Sequence, residues 1–288
     1  MVILRGRVLA TPRRISEPGN QSQWRNFVDF VRLFCTDELS ELHVTTADGN
    51  AQTVTDEEGF FTLAWPVGDA PPPHQVAVQL EGSDEEHMIP VYSSVDAVGG
   101  VISDIDDTLL LTGAHSLVRN LWTSATGNVH QRKIFDDAAE LLQKFDEQDT
   151  SFFFVSSSPW NLFQYLQSIF VRTGLPLGPF FLRDLGVSET KFITGTHGDH
   201  KTAAINTVLD ANPHLKFTLI GDTGQHDPHI YRAAVEQSPS RFDRVVLRRP
   251  TDADLPKSVA DDISRIKAKG VPVSVGHDFR DLLAELET

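Results

Sequence analysis

The 288-residue sequence has little cysteine, few basic residues and no long apolar run. Cys35 is the single cysteine, so a disulfide within the chain is excluded, which is typical of proteins from reducing compartments. Lysine and arginine total 25 against 40 acidic residues, and the net charge of −15 argues against a nucleic-acid partner and against attraction to anionic membranes. We expect Arg244, Arg248 and Arg249 to be solvated at a strand end rather than to form a basic patch.

Targeting and membrane-spanning segments are not apparent. The apolar stretch at the N-terminus is short and is interrupted by Arg5, unlike a secretory signal. The most apolar segment, residues 151–171, is broken by Ser156-Ser157-Ser158-Pro159 and by Asn161 and Gln164, and does not resemble a transmembrane helix. We therefore expect a cytoplasmic protein without a transmembrane segment, in at most peripheral contact with a membrane. The oligomeric state is not readable from the sequence.

Residues 1–95 predict a small, mostly β domain that resembles a sandwich. Short apolar strands are separated by turn signals, among them Asp48-Gly49-Asn50. A single short helix is predicted at 24–34, where apolar residues recur at helical spacing. No residue pattern in this domain points to a chemistry, so its role is left open.

From residue 96 to 288, strands alternate with helices. Strands are predicted at 100–104, 151–156, 216–221, 244–247 and 271–275, and helices at 134–146, 159–173, 201–211, 228–237, 257–268 and 278–286. This alternation is typical of an α/β fold with a doubly wound parallel sheet. The nearly continuous apolar run at 151–156 fits a parallel strand that is buried on both faces.

The first of these strands ends in Asp104-Ile105-Asp106-Asp107-Thr108. In extended backbone, residues two positions apart point to the same side, so Asp104 and Asp106 are expected to face one site. The carboxyl ends of strands are where open α/β sheets place their chemistry. An acidic cluster after a strand is also common in turns and helix caps. If the site is functional, one carboxylate can attack phosphorus and the other can transfer protons.

Three further segments supply the remaining groups of a phosphoryl-transfer site. Ser156 can hold phosphate oxygens at a strand-to-helix turn, and Lys201 can balance charge at a helix start. Asp222 can complete a magnesium site with Asp104, and Asp227 can orient a metal-bound water or Lys201. Each feature alone has an ordinary structural explanation, such as a capping serine or a solvated lysine. Their order, each at a strand end or helix start, predicts one site.

These segments resemble the four motifs of the haloacid dehalogenase (HAD) superfamily of phosphatases. The longer strings are similar to the actin-patch-protein type of phosphatidate phosphatase and its bacterial relatives, over roughly residues 98–250. The strings in question are Ser103-Asp-Ile-Asp-Asp-Thr108, Val155-Ser-Ser-Ser-Pro-Trp160, His200-Lys201 and Leu219-Ile-Gly-Asp-Thr-Gly-Gln-His-Asp227.

The resemblance implies a role for each matching residue. Asp104 would be the nucleophile and Asp106 the acid/base, while Ser156 and Lys201 would bind phosphate and stabilise the intermediate. Substrate contacts are expected from Thr108, Ser157 and Lys201, with Thr108 also fixing the loop. Magnesium would be held by Asp104, the carbonyl of Asp106, Asp222 and Asp227. Ser157 stands where many relatives have asparagine, which affects the expected substrate contacts.

HAD phosphatases often carry a cap domain inserted after the first or second motif. In this sequence the segments that follow these motifs, 109–133 and 174–200, are too short to hold a full cap. An open site suits a large or membrane-bound phosphoester such as a phospholipid. Trp122 and Trp160 are equally compatible with burial and with contact to an acyl chain. The leading hypothesis is a magnesium-dependent phosphatidate phosphatase. A phosphatase acting on a phosphoprotein, nucleotide or metabolite, and a non-catalytic phosphate-binding module, are the alternatives.

Overall fold

The computed structural model describes residues 1–10, 37–68, 71–111, 134–183, 197–224 and 226–286, and of residues 197–199 the backbone only. These residues form two compact units, the first ending at Ser93 and the second beginning at Ser94. The domain boundary predicted at residue 95 stays a prediction. The predicted helix at 24–34, Cys35 and Trp122 lie outside the described residues.

The N-terminal unit contains two antiparallel sheets. Its described strands are β1 (Val2–Arg7), β2 (His43–Thr46), β3 (Gln52–Val54), β4 (Phe60–Trp65), β5 (Gln75–Leu80) and β6 (Glu86–Pro90). One sheet pairs β1 with β4, and the other has the order β3-β2-β5-β6. Leu4 and Leu63 of the first sheet and Val44 and Val78 of the second belong to one buried apolar cluster, as expected for a sandwich. Strand β6 was not predicted because it lies at an edge and is mostly exposed, so it lacks apolar alternation.

The C-terminal unit is an α/β unit built on one six-stranded sheet. Its strands are β7 (Gly99–Ser103), β8 (Thr150–Pro159), β9 (Phe180–Arg183), β10 (Phe217–Asp222), β11 (Phe242–Arg248) and β12 (Val273–Gly276). Its described helices are α1 (Asp136–Asp146), α2 (Phe163–Thr173), α3 (His197–Ala211), α4 (Asp227–Gln237), α5 (Lys257–Ala268) and α6 (Arg280–Leu286). Every neighbouring strand pair is parallel, which confirms the predicted α/β fold class.

The strand order β12-β11-β10-β7-β8-β9 places the first strand of the sheet in its middle. From β7 the chain adds β8 and β9 on one side, and then crosses to add β10, β11 and β12 on the other. The switch point therefore lies between β7 and β10, and the crevice beyond the carboxyl ends of these strands is where such sheets bind ligands. The residues that follow β7 and end β10 are the predicted acidic motifs.

Helix α1 matches its prediction, whereas two other elements of this unit differ from theirs. Helix α1 buries Ala138, Leu141, Leu142 and Phe145, which confirms the predicted inward face. The helix predicted to start at Pro159 begins only at Phe163, because the strand continues through Pro159 and a 3₁₀ turn follows at Trp160–Leu162. Strand β9 was missed because four residues carry too short a pattern to identify.

Among the described residues, no helix combines the length and the apolar run that crossing a bilayer requires. The expected absence of a cap concerns residues 109–133 and 174–200. Much of these two segments lies outside the described residues, so the expectation stays a prediction.

The core under β8 is tested by substituting Phe154, which is fully buried two residues before Ser156. Its ring centroid lies 4.7 Å from that of Phe170 and 5.2 Å from that of Phe180. We expect Phe154→Ala to lower the free energy of unfolding by about 3–5 kcal/mol, because it leaves a cavity among these rings. Urea unfolding measures the change. Val171→Ala, at a side chain that is 62% exposed, is the control and should change stability by less than about 0.5 kcal/mol.

Candidate active site

The loop after β7 folds back on itself, so that Thr108 reaches Asp104. Asp107 adopts a left-handed conformation with φ 57°, which a short polar side chain tolerates. The amides of Leu109 and Leu110 both donate to the Ile105 carbonyl at 2.9 Å and close the turn. The Thr108 hydroxyl then donates to Oδ2 of Asp104 at 3.0 Å. This contact fixes one oxygen of Asp104 and leaves the other to face the neighbouring helix.

Lys201, in the first turns of α3, bridges two carboxylates. Its ammonium group lies 2.8 Å from Oδ1 of Asp104 and 2.5 Å from Oδ1 of Asp227. The lysine side chain is 4% exposed and the two acids 2% and 0%, so all three charges are withdrawn from water. Charge-assisted hydrogen bonds of this kind are strong, and they bring the residue that follows β7 and the first turns of α3 and α4 to one point.

The turn after β10 depends on a close approach between backbone and side chain. Asp227 accepts the amide of Asp222 through Oδ2 at 3.3 Å, and Asp222 accepts the amide of Gly224 through Oδ1 at 2.5 Å. A Cβ atom on Gly221 would lie 2.6 Å from Oδ2 of Asp227. Glycine is therefore required at position 221 so that the Asp227 carboxylate can lie against the strand. Tyr231 supports the same turn by donating its hydroxyl to the Ile220 carbonyl at 2.8 Å.

Two serines of β8 bind the Asp106 carboxylate. The hydroxyls of Ser156 and Ser158 donate to the same oxygen, Oδ2 of Asp106, at 2.9 and 2.7 Å. The Ser158 amide also donates to the Ser156 hydroxyl at 2.9 Å. Both serines and Asp106 are buried, whereas Ser157 between them is half-buried. In an extended segment, residues 156 and 158 share one side and residue 157 faces the other.

The electrostatics of the site are dominated by crowded acids. Burial, with smaller contributions from Asp227 and Asp106, raises the pKa of Asp104 to about 7, although Lys201 lowers it. Burial and the charges of Asp227 and Asp104 raise the pKa of Asp222 to about 9. The carboxylates of Asp104 and Asp227 outweigh the desolvation of Lys201 and raise the pKa of its ammonium, which stays protonated. The site therefore holds more negative charge than Lys201 balances.

The donor set fits a hard divalent cation. Asp104, Asp222 and Asp227 each offer a carboxylate oxygen, and these oxygens all lie within 4.8 Å of one another. Carboxylate oxygens are the ligands that magnesium and calcium prefer, and their raised pKa values show that added positive charge would be favourable here. The buried acidic triad is thus a candidate metal site.

The structure brings almost all predicted site residues together around the switch point. The residues that are buried there are Asp104, Asp106, Thr108, Ser156, Lys201, Asp222 and Asp227. Ser157 lies beside this group without joining the hydrogen bonds around Asp106. Trp160 is half-buried, with its ring centroid 5.5 Å from that of Phe163.

Sequence reasoning missed Ser158, Tyr231 and the role of Arg248. The two-residue alternation that paired Asp104 with Asp106 also pairs Ser156 with Ser158, but we expected a helix to start at Pro159, so this signal was not used. Arg248 is 2% exposed, which contradicts the expectation of a solvated strand end. Nothing in the local pattern marks this arginine as buried, because its partners are distant in sequence.

The charge imbalance predicts that the site lowers stability when no divalent cation is present. The folded state keeps a proton on Asp222 up to about pH 9, whereas the unfolded state releases it near the ordinary value of 3.8. The stability that this group contributes therefore falls as pH rises from about 4 to 9. Asp222→Asn removes this loss, and we expect it to stabilise the fold by about 1–3 kcal/mol at pH 8 in chelator.

Urea unfolding in chelator at pH 8 measures this gain. Asp243→Asn is the control, because its side chain is 54% exposed and lies 3.5 Å from an exposed lysine, and it should change stability little. If Asp222→Asn is less stable than the parent chain, the negative charge of the carboxylates is already balanced within the protein, and the prediction is wrong.

Comparison with known proteins identifies a family and relatives that share the motifs. The family model described as "Phosphatidate phosphatase APP1, catalytic domain" matches residues 99–249. The chain is 28% identical over 183 residues to the phosphatidate phosphatase APP1 of Saccharomyces cerevisiae, covering 61% of this chain and 31% of the relative. It is 25% identical over 229 residues to an uncharacterized protein of Schizosaccharomyces pombe, covering 76% of this chain and 37% of the relative. The chain thus spans about a third of the length of these curated relatives.

Among solved structures, phosphoserine phosphatase in its apo form aligns with a TM-score of 0.41 and 11% identity, covering 65% of this chain and 98% of that one.

The family match includes β7, β8, β10 and β11 and every residue of the buried site. The resemblance predicted from the motif strings is therefore confirmed, and the chain belongs to the family of the phosphatidate phosphatase APP1 catalytic domain.

Proposed function

We propose that the protein is a magnesium-dependent phosphomonoesterase that works through an aspartyl-phosphate and converts phosphatidate to diacylglycerol and phosphate. The observation that supports this most strongly is the junction of Asp104, Lys201 and Asp227, beside an Asp106 held by two serine hydroxyls. A nucleophile, a charge-balancing cation and a separate proton carrier are the groups that phosphoryl transfer to a carboxylate needs.

Asp104 and Asp222 are the proposed direct side-chain ligands of magnesium, with the Asp106 carbonyl as a further ligand implied by the family. Asp227 binds Lys201 through Oδ1 and the Asp222 amide through Oδ2, and we assign it to holding these two groups and to contacting the cation through water. When bound, magnesium neutralises charge on the phosphoryl oxygens.

In the first proposed step, a carboxylate oxygen of Asp104 attacks phosphorus, and the bond from phosphorus to the ester oxygen breaks. Asp106 gives a proton to the departing alkoxide, which leaves as the alcohol. In the second step, Asp106 takes a proton from water as that water attacks the phosphorus of the aspartyl-phosphate. Inorganic phosphate leaves, and Asp104 returns to its carboxylate form. No net proton is gained or lost by Asp106 over the cycle.

The surrounding groups orient these two acids. Lys201 and Thr108 each bind one oxygen of Asp104, so the carboxylate cannot rotate freely. Lys201 also supplies positive charge where the phosphoryl oxygens gain negative charge. We propose that the Ser156 hydroxyl turns from Asp106 to a phosphate oxygen when substrate binds, while Ser158 keeps its hydrogen bond to Asp106.

Substitution of the two acids tests this mechanism. Asp104→Asn removes the nucleophile and Asp106→Asn removes the proton carrier, so we expect each to lower kcat by at least about a thousandfold. Phosphate release with magnesium present measures the loss. Asp107→Asn is the matched control in the same loop, because asparagine also tolerates a positive φ, and it should retain most of the activity. Full activity in Asp104→Asn would refute the covalent mechanism.

The substrate is tested with a panel of phosphoesters at fixed magnesium. Phosphatidate is presented both in vesicles and in neutral detergent micelles, because the net charge of −15 opposes approach to an anionic surface. We expect phosphatidate to give the highest kcat/KM, above a phosphopeptide, a nucleotide and a sugar phosphate. A soluble phosphoester that outperforms it in both presentations would assign the site to that substrate class. Phosphate binding without turnover would indicate a non-catalytic module.

The raised pKa values predict how magnesium binding depends on pH. Protons compete with the cation for Asp222, with a pKa of about 9, and for Asp104, with a pKa of about 7. Magnesium affinity should therefore rise from pH 6 to pH 9, by up to about tenfold per pH unit for each proton displaced. Titration calorimetry in buffers of different ionisation enthalpy measures both the affinity and the proton release. Constant affinity over this range would contradict the assignment, and Asp222→Asn should lower both affinity and proton release.

A further inference from the structure

Arg248, the last residue of β11, is a buried charge next to the site. Its guanidinium carbon lies 4.0 Å from the ring centroid of Phe135 and 4.1 Å from that of Phe279, so the cation is held between two aromatic rings. The residue is 2% exposed. Arginine stacks well in this way because its guanidinium is planar and weakly hydrated.

Each nitrogen of the guanidinium has a different partner. Nε donates to the carbonyl of Thr108 at 3.0 Å, Nη1 to the carbonyl of His277 at 2.8 Å, and Nη2 to Oδ2 of Asp137 at 2.7 Å. The same oxygen of Asp137 accepts the amide of Phe279 at 2.8 Å. The planar guanidinium thus fixes three segments that are distant in the sequence in one mutual arrangement.

One side-chain contact and one backbone contact of Arg248 lead to the active site. The Thr108 residue whose carbonyl Arg248 binds also donates its hydroxyl to Asp104 at 3.0 Å. The backbone carbonyl of Arg248 accepts the amide of Thr223 at 2.9 Å, directly after Asp222. One residue therefore contacts the loop of the proposed nucleophile through its side chain and the loop of the proposed metal ligand through its backbone.

A buried ion pair is a weak source of net stability, because desolvation of the charges offsets their attraction. A geometric role fits the contacts better, since the guanidinium is placed to fix Thr108 rather than to fill space. We propose that Arg248 is a positioning residue of the active site, which orients Asp104 through Thr108 and holds the Asp222 turn beside it. The proposal rests on the proposed function for its kinetic consequence, but the contacts can also be tested without activity.

Arg248→Lys is the principal variant, because lysine keeps the positive charge but cannot bind three partners in one plane. We expect kcat to fall roughly tenfold to a hundredfold while KM stays within about twofold, since the misplaced group is the nucleophile. The matched control is Arg241→Lys, at the residue directly before β11. Arg241 also donates to backbone carbonyls, those of Leu215, Leu209 and Asn212, and lies over the Phe217 ring, but it does not contact the site residues. This control should keep kcat within about twofold.

A double-mutant cycle separates positioning from general destabilisation. Thr108→Val removes the hydroxyl that binds Asp104 and keeps the carbonyl that binds Arg248. If Arg248 acts through Thr108, Arg248→Lys should cost much less activity in the Thr108→Val background than in the parent chain. Equal costs in both backgrounds would overturn the proposal. Should Arg248→Lys fail to fold, Asp137→Asn, which weakens the hold on Nη2, should give the same pattern with a smaller loss.

Hydrogen–deuterium exchange tests the contacts in the absence of substrate. Arg248→Lys should speed exchange in the peptide that contains Leu109 and Leu110, whose amides close the loop that carries Thr108, while Arg241→Lys should not. If the parent chain lacks phosphatase activity and Arg248→Lys still exchanges faster than the parent in this peptide, the contacts are supported and the proposed function is refuted. An active parent chain, with unchanged exchange and unchanged kcat in Arg248→Lys, would refute the positioning role alone.

Discussion

The arrangement of the site depends on one ammonium group placed between two carboxylates. Lys201 binds Asp104 at 2.8 Å and Asp227 at 2.5 Å, and all three side chains are almost completely buried. Asp104 follows β7, Asp227 begins α4 and Lys201 lies near the start of α3, so this contact joins three elements at the switch point of the sheet. Without the lysine, two buried carboxylates would face each other without compensation, and the cost of their desolvation would separate or protonate them.

The crowding of buried acids at this site lowers stability and favours the binding of a cation. Burial and neighbouring acids raise the pKa of Asp104 to about 7 and that of Asp222 to about 9, because Lys201 balances only part of the negative charge. A hard cation bound between these oxygens would supply the missing positive charge. The crowded acids therefore lower the stability of the folded protein, and a bound cation would offset this loss. Lower stability at a functional site is common in proteins.

Much of this arrangement could be predicted from the sequence, because its signals are local. Alternating strands and helices indicated the parallel sheet, and a carboxylate or hydroxyl at the end of each central strand indicated one shared site. Ser158 was missed because Pro159 suggested a helix start, although the backbone there stays extended. Arg248 could not be recognised as buried, because its partners Thr108 and Asp137 are 140 and 111 residues away in sequence. Contacts of that range follow from the packing of the sheet and leave no local pattern.

The central claim is that Asp104 takes up the phosphoryl group covalently. The most direct measurement is acid quenching during turnover of phosphatidate with magnesium, followed by peptide mass spectrometry of the loop 104–108. We predict a phosphorylated peptide that carries the modification on Asp104, is labile to hydroxylamine, and disappears when magnesium is chelated before substrate is added. Rapid turnover with no phosphorylated aspartate at any quench time, or with the phosphoryl group on another residue, would contradict the account.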